Sequence, residues 1–431
     1  MDVTKVAQDV QAWISQQSLS TGKDLTAVEA AVLPLMRMIG AKVVEGLMAG
    51  QRLGYEGSSR SCTCGGRQKF LGHRSKTVLT LMGSVQLKRA YYFCPGCGAS
   101  SIPHDEQAGL DGGGFSVALV QQATLLGAHM PFALAHTMLQ SLTGQRVPAR
   151  TIERLVHRVG HVAARKEAES LERIKTWEAP QADLLPDDQR PKTLYIAADG
   201  AMVNRLDAWH EVKNAVVYWD DVKGRRHVRY ISRNESAEQF KAFVWWLACR
   251  CGLQTAERVV LVGDAAKWIW DHVASVFDEK TILIVDWYHA LEHVWACGRA
   301  FHEEGSAELK AWVDPLKNLL WNGDVRSVLD RLQAQRKTTR QPTRREALGA
   351  LITYLTNQDD RLAYDRFRAM GLDVGSGVVE AACKHVVGVR MKRNGMRWSE
   401  SGSQATLSLR VVHLNEQWDT FWSQKPLLEA A

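Results

Sequence analysis

Two sets of residues in this 431-residue chain have the type and spacing for metal chemistry. The first is carboxylate. Asp199 follows an apolar run in YIAADG, Asp264 follows another in VVLVGDA, and Glu380 lies far downstream in GSGVVE, with Lys384, Arg390, Lys392, Arg393 and Arg397 after it. Carboxylates suit Mg2+ (or Mn2+), which takes oxygen ligands and keeps positions for water and phosphate. Two such ions about 4 Å apart cleave phosphodiesters, one sharpening the nucleophile and the other stabilising the leaving oxygen. An Asp after a strand is also a common turn residue, so the pattern rests on the acids taken together. The second set is thiol. Cys62 and Cys64 form a C-x-C before a hairpin signal, and Cys94 and Cys97 stand in C-P-G-C-G after it. Four thiolates can surround one structural zinc and supply folding free energy that a small unit lacks, with His73 or His104 as alternatives to one sulfur.

Asp286 ends a third apolar run, TILIVD, and makes a D-x-x-H spacing with His289; His293 lies one helical turn further on. The cluster can bind zinc or brace a strand-to-helix junction. Asp286 is also the rival to Asp264 as second carboxylate. Two basic stretches are candidates for DNA. Arg150, Arg154 and Arg158 fall on one predicted helix, and RMKRNGMRW sets Trp398 beside its cations, a pattern suited to tracking a DNA strand. Each can equally be a solvated charged face, and Glu153 on the first helix favours that plainer reading.

The surrounding periodicities say what must position these groups. LYIAAD, WHEVKNAVVYWD, RRHVRYIS, RVVLVGD and TILIVD read as strands, while AEQFKAFVWWLACRCGL and AAKWIWDHVASVF read as helices. The order βββαβαβ is that of an RNase H-like sheet. Asp199 is expected to end its first strand and Asp264 its fourth, which are neighbours in such a sheet. The fifth strand, bearing Asp286, lies one place further away. Glu380 is expected in the first turn of a late helix capped by Ser376. Residues 289 to 370 contain helical periods without a convincing strand. Upstream, KTVLTL and VQLKRAYYF form a hairpin signal with Gly83 at the turn. Residues 1–54 carry helical periods, and SLTGQRVPARTIERLVHRVG has the outline of a helix-turn-helix. Trp245, Trp246, Trp268 and Trp270 fit amphipathic helices as core residues.

Composition excludes little. A formal net charge of +7 is mildly basic and decides nothing about nucleic acid. No run approaches the roughly 20 apolar residues of a bilayer-spanning helix, so no membrane role is expected. The N-terminal residues lack the order of a secretory signal, and the paired cysteine spacing suits metal in a reducing compartment; a cytoplasmic protein is the expectation, and the resemblance described next implies a bacterial, nucleoid-associated one.

AADG around Asp199, GDAAKWIW after Asp264, DWYH at 286–289 and GSGVVEAACKHVVGVRMKRNGMRWSESGSQATLSLR resemble bacterial insertion-sequence transposases of the ISKra type. These are relatives of the Mutator-like transposases, which carry D-x-x-H or C-x-x-H between the second Asp and the Glu. The resemblance covers about residues 190–420. It implies that Asp199, Asp264 and Glu380 form a DDE triad holding two Mg2+ (or Mn2+) ions, with Asp286 and His289 accessory. It also implies that the strandless segment is a helical insertion. The expected architecture is multidomain α+β: an N-terminal helical region (1–54), a zinc-ribbon-like domain with one Zn2+ (55–110), a helix-turn-helix-like DNA-binding region (111–178), and an RNase H-like α/β catalytic domain (190–290 and 371–425) with the helical insertion (291–370). The implied activity is DNA transposition. Ends of a mobile element, its terminal inverted repeats in double-stranded DNA, are bound and cut, and the 3′-OH is joined to target DNA by a homodimer or higher multimer. The alternatives are an RNase H-like DNA nuclease without strand transfer and a domesticated DNA-binding regulator.

Overall fold

The computed structural model describes residues 8, 10–15, 24–49, 51, 53–108, 110, 113–174, 185–375 and 377–429. It is a mixed α+β, multidomain chain of two compact units. One comprises Met1–Ala163 with Gln417–Ala431, the other Ala164–Glu416. Among the described residues no helix is long and apolar enough to cross a membrane.

The first unit is built on a four-stranded antiparallel sheet, β1 (Ser59–Ser61), β2 (Arg67–Thr80), β3 (Gly83–Phe93) and β4 (Ser100–Ser101), in that order. The hairpin is longer than KTVLTL suggests, because β2 starts at Arg67. Its connection is Leu81-Met82, not a turn centred on Gly83, which instead pairs with Thr80 as the first residue of β3. Thr80 Oγ1 closes the bend by donating to Gly83 O (2.8 Å) and accepting from Met82 N–H (3.1 Å). Val78, Val85 and Leu87 bury one face of the hairpin with Ala41 of the Leu25–Ala49 helix, Leu53 and Leu110. Helices Val117–His129 and Phe132–Thr143 follow. The second ends at Gly144, whose φ of 73° is a left-handed cap open to glycine. Pro148 O then accepts from Thr151 and Ile152 N–H as the Ala149–Ile174 helix begins. Gly127 has a packing role: a Cβ there would lie 2.7–2.8 Å from Val156 and Ile152 methyls. Residues 417–425, read above with the catalytic domain, belong to this first unit. Trp418, Phe421 and Trp422 are buried, and the short Pro426–Glu429 helix packs on Pro103–Ala108.

The second unit centres on a five-stranded sheet of order β7-β6-β5-β8-β9. β5 (Thr193–Asn204), β6 (Trp209–Asp220) and β7 (Arg226–Arg233) form an antiparallel meander, and β8 (Arg258–Gly263) and β9 (Ile282–Val285) run parallel to β5. Central apolar runs such as LYIAA and VVLV are buried on both faces, as parallel strands covered by helices must be. Between β9 and residue 376 the described chain is helical: Trp287–Arg299, Ala307–Trp321, Val325–Thr338, Pro342–Asn357 and Tyr364–Ala369. Leu309, Val313, Leu316 and Leu320, then Leu348, Leu351 and Leu355, recur at helical spacing and join the core under the sheet. Ser306 and Asp324 cap two of these helices through side-chain oxygens.

Candidate functional site

The four paired cysteines converge. Cys62 Sγ lies 3.6 Å from Cys97 Sγ and Cys64 Sγ 3.7 Å from Cys94 Sγ, and one ligand atom from each lies within 4.8 Å of all the others. A zinc–sulfur bond of about 2.3 Å sets the edge of a tetrahedron at about 3.8 Å, so the thiols stand at the spacing of a tetrahedral zinc site. Two similar turns hold them. Gly65 N–H donates to Cys62 O (3.0 Å) and Gly98 N–H to Cys94 O (2.9 Å), and each glycine, directly after the second cysteine of its pair, has a left-handed φ (84° and 75°). The Cys64 backbone N–H, then the neighbouring thiols, hold the Cys62 thiol well below its usual range, which favours the thiolate a metal needs. Neither His73 nor His104 joins the group. The cluster can hold a metal such as zinc.

The acids line up by backbone register. The β5–β8 ladder ends at Ala198↔Gly263 and the β8–β9 ladder at Gly263↔Val285. Asp199, Asp264 and Asp286 are therefore the next residues on three adjacent parallel strands, with Asp264 in the middle. Asp199 does not end its strand. β5 continues opposite β6 to Asn204↔Trp209, with Ala201 and Val203 buried and Met202 exposed in strand alternation. The glycine after Asp199 reads as a turn signal, but it continues the strand, and a Cβ there would run into Glu211. Gly200 N–H donates to Asp199 Oδ1 (2.6 Å) and Ala266 N–H to Asp264 Oδ1 (2.9 Å). Burial, then the Asp199 charge, raises the Asp264 pKa above its usual value. A carboxylate whose charge is disfavoured by burial and by a neighbouring acid is a natural cation locus.

Asp286 is buried and serves as helix cap: its Oδ1 accepts from His289 N–H (2.6 Å) at the start of Trp287–Arg299. The His289 ring lies 3.3 Å from His293 Nε2 and 3.5 Å from Glu292. His293 stacks on Tyr354 of the Pro342–Asn357 helix, 3.9 Å between centroids. The phenol, whose pKa is raised by burial and then by Asp264 and Asp286, lies in the field of both acids. The helical segment thus reaches the acid row, through a tyrosine that has no motif to betray it in sequence.

Glu380 sits on the helix Gly377–Ala382, which packs on β5 and β6; the cap assigned to Ser376 lies outside the described residues. One turn on, the Cys383 thiol has its pKa raised by burial and then by the Asp199 charge. Residues three apart share a helix face, so Glu380 and Cys383 lie on the same side of this helix. Its side chain is exposed, and Asp199, Asp264 and Glu380 do not gather as tightly as the four thiols. From Cys383 the helix widens into a π turn, Cys383–Gly388, before Val389–Met391. Buried Arg410 donates to His385 and Val386 carbonyls within that turn.

Among the basic residues, Arg150, Arg154, Lys384, Lys392, Arg393 and Arg397 are exposed, and Arg158 is half-buried. Arg150 pairs with Glu153 (3.2 Å). Arg390, expected among the DNA-binding cations, is instead 0% exposed and lies over the Trp398 ring, 4.7 Å from its centroid, so its charge is enclosed in the fold and not presented at the surface. Trp398 is likewise buried, its Nε1–H donating to Met391 O (3.2 Å).

Comparison with known proteins gives distant relatives. A "UPF0236 protein in vanSb 3'region" of Streptococcus gallolyticus is 22% identical, with 81% of this chain and 74% of the relative covered. A UPF0236 protein of Caldanaerobacter subterraneus subsp. tengcongensis, whose name joins eleven locus labels, is 19% identical over 97% of this chain and 84% of the relative. Among solved structures, the "Drosophila P element transposase strand transfer complex" aligns with 73% of this chain and 82% of that one at 13% identity; its TM-score of 0.26 is too low to carry an argument. Residues 64–420 match one family pattern throughout, and the chain belongs to the family described as "Uncharacterised protein family (UPF0236)".

Proposed function

We propose that this chain is a DNA transposase whose second unit is an RNase H-like catalytic core and whose cysteine unit is a zinc ribbon. The observation that carries the reading is the register: Asp199 and Asp264 each stand one residue past the paired Ala198 and Gly263. Glu380 completes a DDE triad from a helix that packs on β5 and β6 and whose next turn carries Cys383 in the field of Asp199. The donor set is all oxygen, half-open and self-repelling, which fits Mg2+ (or Mn2+). Bound there, the metal supplies charge stabilisation at the scissile phosphate. Asp199, Asp264 and Glu380 hold and orient it, His289 and Tyr354 brace the row, and the exposed cations Lys384, Lys392, Arg393 and Arg397 hold DNA phosphates. Arg150, Arg154 and Arg158 on the Ala149–Ile174 helix are the proposed end-binding residues, and cutting paired ends calls for a dimer or larger assembly. A relative recorded at eleven loci of one genome supports mobility, since a sequence that copies or moves itself accumulates such loci while an ordinary nuclease or regulator does not.

The test is incubation of the purified protein with labelled DNA carrying the sequences that flank its gene. Mg2+-dependent nicking followed by joined products supports transposition. Nicking without joining makes it a nuclease, and binding without cleavage in either Mg2+ or Mn2+ makes it a regulator.

A further inference from the structure

The aromatic residue expected to meet DNA, Trp398, is buried; another takes the surface position. β5 runs past Asp199 into a tight connection to β6 that leaves Trp209 59% exposed, with Leu206 58% and Met202 45% exposed beside it. Met202 pairs with Glu211 and Asn204 with Trp209, so Gly200, Met202, Trp209 and Glu211 share one face of the hairpin. The Asp199 side chain lies on the other face with buried Ala201 and Val203, so the indole and the acid row are joined along β5 rather than across one surface.

The hairpin tip is not a free end. Trp398 N–H donates to Asn204 O (3.1 Å) and Leu206 N–H to Trp398 O (2.9 Å), and the Arg397 guanidinium donates to Leu206 O. The loop carrying exposed Lys392, Arg393 and Arg397 is therefore stitched beside the exposed indole. The nearby acids have partners: Asp207 is held by His210 at 2.7 Å, Glu211 by Lys213 at 3.0 Å and Glu400 by Arg205 at 3.4 Å. From Asp199 to Asn204 is five residues, about 17 Å at strand rise. That span equals about five base-pair steps along one DNA strand.

We propose that Trp209 stacks on an unpaired base of the substrate DNA, about five nucleotides or fewer from the phosphate at the acid row, while Lys392, Arg393 and Arg397 hold the backbone of that strand. An exposed indole among cations is the combination that binds unpaired nucleotides without reading sequence: every base has a face to stack, and the cations neutralise phosphates. This inference rests on the DNA-processing reading above and adds to it the form of the substrate, a strand splayed next to the cut.

The experiment uses the full-length protein and two DNA probes, a blunt duplex and the same duplex with five unpaired nucleotides beside it, one of them 5-iodouracil. Trp209→Ala should weaken binding to the splayed probe about 5- to 100-fold while changing blunt-duplex binding less than twofold, and Trp209→Phe should keep most of the affinity. Irradiation of wild type on the iodinated probe should crosslink the tryptic peptide Leu206–Lys213. Equal losses on both probes, or a crosslink elsewhere, overturn the stacking role. A change in oligomeric state with unchanged DNA affinity overturns it too, and assigns the patch to a second copy of the chain. The binding arms need no cleavage. A protein that stacks the base but never cuts keeps this inference and loses the transposase reading, and one that cuts normally as Trp209→Ala does the reverse.

Discussion

The cysteine cluster and the acid row both suit cations, yet they are assembled in opposite ways. Each cysteine pair is set by a turn of a few residues, and the hairpin between them is itself a local structure, so four sulfurs reach tetrahedral spacing with short-range contacts alone. Asp199, Asp264 and Asp286 line up only because a five-stranded sheet aligns Ala198, Gly263 and Val285, and Glu380 stands apart on a later helix. The first arrangement is closed, with no position for a substrate. The second is half-open, with Glu380 exposed and the Asp264 pKa raised by burial and then by its neighbour. A closed, sulfur-lined site stabilises a fold, whereas an open, oxygen-lined one leaves room for a reacting phosphate.

The contrast can be broken most forcefully at the thiols. Freshly purified, unchelated protein should hold about one zinc per chain, and replacing Cys94 and Cys97 together by Ser should remove it, with a stability loss in the first unit on the order of 10 kcal/mol. Elemental analysis read beside a thermal melt decides this, and zinc-free wild type would refute the closed site. Next in size, Asp199→Ala, Asp264→Ala and Glu380→Ala should each slow DNA cleavage by about 10³-fold or more while end binding stays within a few-fold. If Asp264→Ala still cuts and Asp286→Ala does not, the working carboxylate is on β9.

A smaller effect is expected from His289→Ala, which removes a group beside the acids: single-turnover cleavage should fall by about 10- to 100-fold with Mg2+ dependence intact. A wild-type rate would leave the D-x-x-H as a helix-start brace. The smallest effect concerns stability. Because burial and Asp199 hold Asp264 above the ordinary carboxylate range, the folded state favours its protonated form and loses stability as pH rises through and above that range. Asp264→Asn keeps the acceptor for Ala266 N–H and sheds the charge, so in EDTA at pH 7 it should melt about 2–4 °C above wild type. The gap should close below about pH 4, where the aspartate is protonated in both states. An unchanged gap across that range would mean that the fold does not disfavour the Asp264 charge.

What the sequence made legible follows the same division. C-x-C and C-P-G-C-G around a hairpin are local signals, and the sulfurs converge as their spacing suggests. VVLVGD and TILIVD were readable because strands buried on both faces leave an unbroken apolar run before the first polar residue. Asp199 was harder: Gly200 reads as a turn, while the pairing that carries β5 on to Asn204 comes from β6 and is invisible locally. Burial of a cation is equally non-local. Arg390 and Trp398 stand in a run that looks wholly solvated, yet one lies over the other inside the fold. Cys383 had a signal, since it is three residues after Glu380; Tyr354 and Trp209 had none, because their roles depend on which distant elements they face.

The π turn at Cys383–Gly388 gives the Glu380 helix a second property. A π turn is an α-helix carrying one surplus residue, and each residue advances a helix by about 100°. Glu380 stands on one side of the surplus, and the Arg390–Trp398 anchor on the other. The carboxylate's angular phase against that anchor is thus encoded in chain length, with Arg410 stabilising the carbonyls of the widened turn. Deleting a single residue there would regularise the helix and turn Glu380 by about a quarter-revolution against that anchor, a change of phase made without substituting any remaining side chain.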